Sequence, residues 1–290
     1  MAANRHRTGI ALVAASAVAW STAPYFMRLL PFDSWTILFW RGLFGGGLIA
    51  AMLVLMQGRG GLRGLTEIGA NGWLVAALST LAMVAFIPAM QLTSVSNVAV
   101  IMATGPFVTA AIAWIWLREA AGLRTMLASA VAFCGIAIIV SDASANSDIL
   151  GIALACLMTL AFAVMTVAVR RQRNTPMVAA AALSNILGSL VSIPFARGIA
   201  DVAGTDLVIL ALFGFFQVAL GLTLYMLGSR LLPSGQAALI ATLESPLMPF
   251  WMWLAFQETP APKALVGGVL VLGAVIADIL GDIRTQKQPA

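Results

Sequence analysis

Glu244 lies in the stretch LIATLESPLMPFW (Leu239–Trp251), where only Thr242 and Ser245 are polar companions and Pro246 and Pro249 follow. A carboxyl group in such surroundings can bind a cationic group. It can also take up and release a proton, because burial raises its affinity for one. The plainer alternative is a neutral acid hydrogen-bonded to a neighbouring helix. Other chemistry is sparse. The one histidine, His6, lies in the N-terminal tail, and the two cysteines, Cys134 and Cys156, lie in apolar runs. Two thiols and a distant imidazole make no typical zinc site and no disulfide framework. A clustered set of catalytic groups, as an enzyme would need, is not apparent. The loop GRGGLRGL is glycine-rich and basic but lacks the Lys-Ser/Thr ending of a phosphate loop, so no nucleotide, ATP-driven pumping or other cofactor is expected.

Composition says what surrounds these residues. The 290-residue chain is 61% hydrophobic and 9% charged, with a mean hydropathy of +0.99. Soluble domains are roughly a quarter charged, so this chain has too few charges to cover a water-facing surface. It reads as a membrane protein in a lipid bilayer. Apolar runs long enough to cross occur near 8–30, 34–57, 71–92, 95–117, 124–140, 149–169, 176–196, 206–231, 234–256 and 264–280, about ten helices at about 20 residues each. No cleavable signal peptide is expected, because the first run is long and has no Ala-x-Ala-like site.

The net charge of +5 could suggest a nucleic-acid partner, but its placement argues otherwise. With both termini on one side, Arg5, Arg7, Arg59, Arg63, Arg118, Arg124, Arg170, Arg171, Arg173, Arg230, Arg284 and Lys287 share that side. Arg28, Arg197 and Lys263 fall on the other. A bias of roughly four to one makes the termini cytoplasmic. Asp33, Asp142, Asp148, Asp201 and Asp206 fall outside.

The chain also repeats. GIALVAASAVAW (Gly9–Trp20) matches GIALACLMTLAF (Gly151–Phe162), and Arg28 and Arg170 close the two segments. Aligning Pro106 with Pro246 brings Glu119 near Glu258 and sets Gly135 against Gly273. These matches divide the chain into residues 1–145 and 146–290, five helices each, joined through SDASANSD. An odd number of spans inverts the second unit in the membrane, an arrangement common in secondary transporters with a midplane site.

Trp20, Arg41, Pro106, Glu119 and Gly135, with Pro246, Glu258 and Gly273 in the second half, resemble the EamA-type repeat. Over nearly its whole length the chain is similar to the drug/metabolite transporter superfamily, and within it most to the YddG-type amino-acid exporters. The resemblance implies an all-α membrane fold of ten helices in two inverted repeats. It also implies export of amino acids and related metabolites across the bacterial inner membrane. The chain departs from the pattern in three places. Thr104 stands where the second half has Glu244, Arg118 and Gln257 replace the usual glycine before the terminal glutamate, and Arg41 has no obvious mate, with Ser184 or Asn185 nearby.

Trp20, Met83, Met102, Phe162, Gln217, Tyr225 and Glu244 lie near mid-helix and are the candidate substrate contacts, with core packing as the alternative for each. Glu244 is also the candidate coupling group; proton coupling and uncoupled exchange both stay open. Pro24, Pro88, Pro106 and Pro246 free helix carbonyls and can gate or merely kink. Arg41 is expected to be structural, paired or reaching outward along its stem. Trp35, Trp73, Trp114, Trp116, Trp251 and Trp253 are expected as interfacial anchors, Glu119 and Glu258 as caps or loop ties. Gly42, Gly45, Gly46, Gly47, Gly267, Gly268 and Gly273 are expected to let helices approach closely. The leading expectation is an amino-acid exporter of broad choice. A carrier of drugs or nucleosides is second, and an intramembrane enzyme a remote third.

Overall fold

The computed structural model describes residues 2–287 apart from 59, 61–66, 94, 140, 142–148, 172–176, 258 and 260–261. Arg59, Arg63, Asp142, Asp148, Arg173 and Glu258, named above, lie outside the described residues, as do most of SDASANSD and of the glycine-rich loop. Every expected span is helical. Among the described residues eight helices are long and apolar enough to cross a membrane, while Leu123–Ile139 and Met177–Ser192 are shorter apolar helices. The seventh span stops earlier than its apolar run because Pro194 cannot continue it, and the Ser192 carbonyl instead accepts from the amides of Phe195 and Ala196. Large apolar side chains face outward all round the bundle, among them Leu55 at 85% and Ile115 at 68% exposure, a surface that suits lipid rather than water.

The pairing of spans has the symmetry of the repeat. The second packs on the seventh and the fifth on the tenth, each against its own counterpart. The third packs on the sixth as the eighth packs on the first, and the fourth packs on the sixth as the ninth packs on the first. Small residues make these approaches possible. A Cβ on Gly42 would come within 2.8 Å of the Asn185 carbonyl, and one on Gly135 within 2.7 Å of the Gly267 carbonyl. Gly45, Gly46, Gly267 and Gly268 are likewise crowded, but Gly47 and Gly273 face open space. Gly135 therefore meets Gly267 and not its sequence mate, because the fifth and tenth spans cross about two turns away from Gly273.

Three spans expected to be continuous are broken. The first runs Ala2–Ser21 and Ala23–Leu29, the fourth Val95–Ala103 and Gly105–Leu117, the ninth Ser234–Ala241 and Glu244–Phe256. A threonine stands at each break. Thr22, Thr104 and Thr242 each donate their hydroxyl to the carbonyl three residues back, at 2.6 Å in every case. Pro24, Pro106 and Pro246 follow within four residues and withhold an amide from the ladder. Each of these carbonyls also accepts the threonine's own amide, so the hydroxyl adds a second partner at the break, and a satisfied backbone makes an interruption at membrane depth tolerable. Pro88 behaves differently and sits inside the uninterrupted helix Gly69–Leu92. The eighth span is deformed in another way: Thr205–Phe213 and Thr223–Ser229 flank a π-helical segment, Gly214–Leu222.

Candidate functional site

The breaks and the π segment surround one group of side chains. Trp20, at the end of the first half-helix, lies 6.0 Å from Phe162 edge-on and 5.0 Å from Tyr225, centroid to centroid, and Phe162 lies 5.2 Å from Tyr225. Aromatic rings at such spacings hold one another by about 0.5–1.5 kcal/mol per pair beyond burial. Thr166 donates to the Phe162 carbonyl at 2.9 Å, so the Tyr225 hydroxyl, 2.8 Å away, is the donor to Thr166. Glu244, first residue of the second half of the ninth span, is within electrostatic reach of Tyr225. Trp20, Phe162 and Glu244 are partly exposed, whereas Tyr225 is wholly buried.

Burial changes abruptly across the break that precedes Glu244. All eight residues of Ser234–Ala241 are buried, and none of Glu244–Phe256 is. The packed side is the one towards the N terminus of the chain. There Gly9 abuts Leu231 and Leu232, Gly228 abuts Leu12 and Val13, and Tyr225, Met226, Met165, Leu239 and Ile240 are fully enclosed. At this end Arg170 lies 3.6 Å from the Glu119 carboxylate and donates to the Arg230 carbonyl at 2.9 Å. Arg171 stacks on Trp116 at 5.3 Å. Glu119 thus ties the first repeat to the second.

Gln217 sits in the middle of the π segment. Its backbone carbonyl accepts the Trp20 indole N–H at 3.0 Å, and its side-chain oxygen accepts from Arg41 Nη1. Arg41 also stands over the Phe213 ring at 5.4 Å. Arg41 is therefore not reaching outward, and among the described residues its partners are an amide and a ring rather than an acid. Met83 packs over Gly188 of the seventh span, and Met102 packs against the cluster Ala82, Ala85, Met158 and Ala161. Both lie at helix contacts. Trp251 is not an interfacial anchor as expected: its indole donates to the Ser21 hydroxyl at 2.7 Å, joining the ninth span to the first beside the Thr22 break.

One buried acid escaped the sequence reading. Asp278, 1% exposed, accepts from the Thr125 hydroxyl at 2.9 Å and from Gln236 Nε2 at 3.0 Å. Both donors stand in the first turn of their helices, the fifth and the ninth spans. The carboxylate thus faces two helix N-termini, whose dipoles favour a negative charge. A lone acid near the end of the apolar run 264–280 was the available signal. Its role is to fasten the closed half of the ninth span to the fifth and tenth.

At the opposite end of the bundle, Asp33 accepts from the amides of Trp35 and Thr36 at 3.0 and 3.1 Å, from the Thr36 hydroxyl at 2.6 Å and from the Arg197 amide at 3.3 Å. Burial opposes its ionisation. The hydrogen bonds from the Thr36 hydroxyl and the Thr36, Arg197 and Trp35 amides outweigh it and hold the carboxyl below its ordinary range. Trp40 adds an indole bond to the Ile199 carbonyl at 3.2 Å.

This arrangement can be set beside known proteins. The sequence profile of the EamA-like transporter family matches residues 7–141 and, a second time, 149–277. The chain belongs to the EamA-like transporter family. A solved crystal structure, titled only as that of a protein, superposes with a TM-score of 0.80 at 14% identity, covering 97% of this chain and 99% of that one. At that identity the likeness speaks to fold alone. No curated protein matches the chain. As an EamA-like transporter it is a multi-pass membrane protein that moves a small-molecule substrate. Trp20, Phe162, Gln217 and Tyr225 are the sequence-derived candidates brought into contact, and Glu244, the first residue after the ninth-span break, is within electrostatic reach of Tyr225.

Proposed function

We propose that this transporter exports amino acids and related small metabolites by alternating access, with Glu244 and the partly exposed faces of Trp20 and Phe162 contacting the cargo. The reading rests on the step in burial across the break that precedes Glu244. An acid that follows a packed half-helix and begins an open one has a closed side and an open side, the asymmetry that a substrate or proton site needs in any single state of an alternating-access cycle. Intramembrane ionisable residues are functional by default. With the termini cytoplasmic, the packed end carrying Glu119, Arg170 and Arg230 faces the cytoplasm, and the open halves face outward. The carboxylate suits an ammonium group, and the rings suit apolar or aromatic side chains.

Uptake into liposomes carrying the purified protein, tested with a panel of labelled neutral and aromatic amino acids, decides the substrate class. Movement of several is expected. If none moves while drugs or nucleosides do, the amino-acid reading is wrong. Repeating the assay with and without a pH gradient on Glu244→Gln tests coupling. Full rate and an unchanged pH response in the variant would remove Glu244 from that role.

A further inference from the structure

We propose that Arg41 and Gln217 form a positioning pair that fixes the orientation of the Trp20 indole and thereby sets which cargo side chains the site accepts. The inference rests on the reading of Trp20 as a cargo contact. Gln217 belongs to the second repeat, and it holds two residues of the first. Its carbonyl takes the Trp20 indole N–H at 3.0 Å and its amide oxygen takes Arg41.

The π segment is what allows both. In a regular α-helix the carbonyl points along the axis to the amide four residues on. The wider turn changes that register, and π segments recur at functional sites for this reason. Glycines close the approach at either end of the segment. A Cβ on Gly214 would meet the Arg41 carbonyl at 2.7 Å and the Gly45 amide at 2.8 Å. One on Gly221 would meet Trp20 Cδ1 at 2.7 Å and Nε1 at 2.8 Å. The segment is therefore seated against Arg41 at one end and against the Trp20 ring at the other.

Arg41 is poorly used as a stabilising residue. Its Nε is buried without a hydrogen-bond partner, and buried polar atoms kept for stability are nearly always satisfied. Its contacts with the Gln217 side chain and the Phe213 face instead brace the π segment at the residue whose backbone carbonyl holds the Trp20 indole. With the N–H committed to Gln217, Trp20 turns its edge and face towards Phe162 and Tyr225. Releasing it would let the indole rotate and replace part of an apolar wall with a donor. A change of that kind alters discrimination between apolar and small cargo by about tenfold.

The test uses the full-length protein and has two readouts. The first is the ratio of kcat/KM for phenylalanine to that for alanine in liposomes. Arg41→Met and Gln217→Leu should shift this ratio about tenfold, and Gln217→Glu, which keeps an acceptor for Arg41, should retain it. A loss that lowers both substrates in proportion would mean a merely structural role and overturn the proposal. The second readout needs no cargo. The emission of Trp20, taken as the difference between the protein and its Trp20→Phe variant, should shift and become more quenchable by acrylamide in Arg41→Met. It should not do so in Gln217→Glu. Unchanged emission in both Arg41→Met and Gln217→Leu overturns the proposal. A shifted emission in a protein that carries no amino acid supports the pair and refutes the amino-acid reading instead. If Arg41→Met does not fold, Gln217→Leu, which leaves the cation in place, carries both measurements.

Discussion

Replacing Arg118 and Gln257 by glycine should stabilise this protein. The two residues end the fourth and ninth spans, at positions related by the repeat, and both adopt the left-handed conformation: φ 58°, ψ 25° for Arg118 and φ 56°, ψ 24° for Gln257. A side chain in that conformation costs about 1–2 kcal/mol through the clash of Cβ with the following carbonyl. Glycine removes the clash but gains about 0.5–1 kcal/mol of freedom in the unfolded chain. The net gain is about 0.5–1 kcal/mol per site. The terminal hydrogen bonds are unaffected, because they run from backbone amides: Glu119 to the Ala113 carbonyl at 3.3 Å, Gln257 to the Trp253 carbonyl at 3.0 Å. The sites close opposite ends of inverted units, so the gains should add to about 1–2 kcal/mol. Thermal or denaturant unfolding in detergent, followed by tryptophan fluorescence, measures the change. Alanine at either site keeps the Cβ and should leave stability near that of the unmodified protein. If alanine stabilises as much as glycine, the gain comes from losing the Arg or Gln side chain and the backbone reasoning is refuted.

Asp278→Ala should cost about 2–4 kcal/mol, since it removes the acceptor of two buried donors, and Asp278→Asn, which keeps one acceptor oxygen, should cost less; unfolding midpoints of the two variants compared with the parent check this. Gly267→Val should push the fifth and tenth spans apart, costing about 1–3 kcal/mol or more, because its Cβ would strike the Gly135 carbonyl, and the loss of folded material on size-exclusion chromatography reads it. Asp33 sets a pH dependence: its folded-state pKa lies below the ordinary 3.8, so its contribution is present above about pH 4 and is lost as pH falls through the lower folded value. Asp33→Asn should flatten the acid limb of the stability curve, and an unchanged limb would count against the hydrogen-bonded carboxylate.

Apolar run length was enough to read the membrane bundle, because the bilayer imposes it at every span, and the repeat was legible because Gly-Ile-Ala-Leu, the prolines and the helix-end glutamates recur in the same order. Pro24, Pro106 and Pro246 marked where three spans weaken, but whether they kink or break, and at which residue, was not legible. A threonine inside an apolar run fits an intact helix as well as a broken one, and only the i−3 hydrogen bond distinguishes them. The π segment was hidden for the same reason: GFFQVALGL is a plain apolar run whose only signs are Gln217 and the glycines at 214 and 221. Trp251 and Asp278 were misjudged or missed because depth in a helix does not say which neighbour it faces. The same local physics explains the asymmetry at Glu244. When Pro106 is set on Pro246, Thr104 falls on Glu244 and Met102 on Thr242. In the fourth span the hydroxyl of Thr104 is committed to closing the break, on the Ile101 carbonyl. In the ninth span Thr242 makes the equivalent bond two residues earlier, on the Leu239 carbonyl. Moving the closing threonine back by two residues releases position 244 from the break. An inverted repeat can hold one carboxylate beside its aromatic group only if one half closes its broken helix without that position, and the ninth span does so.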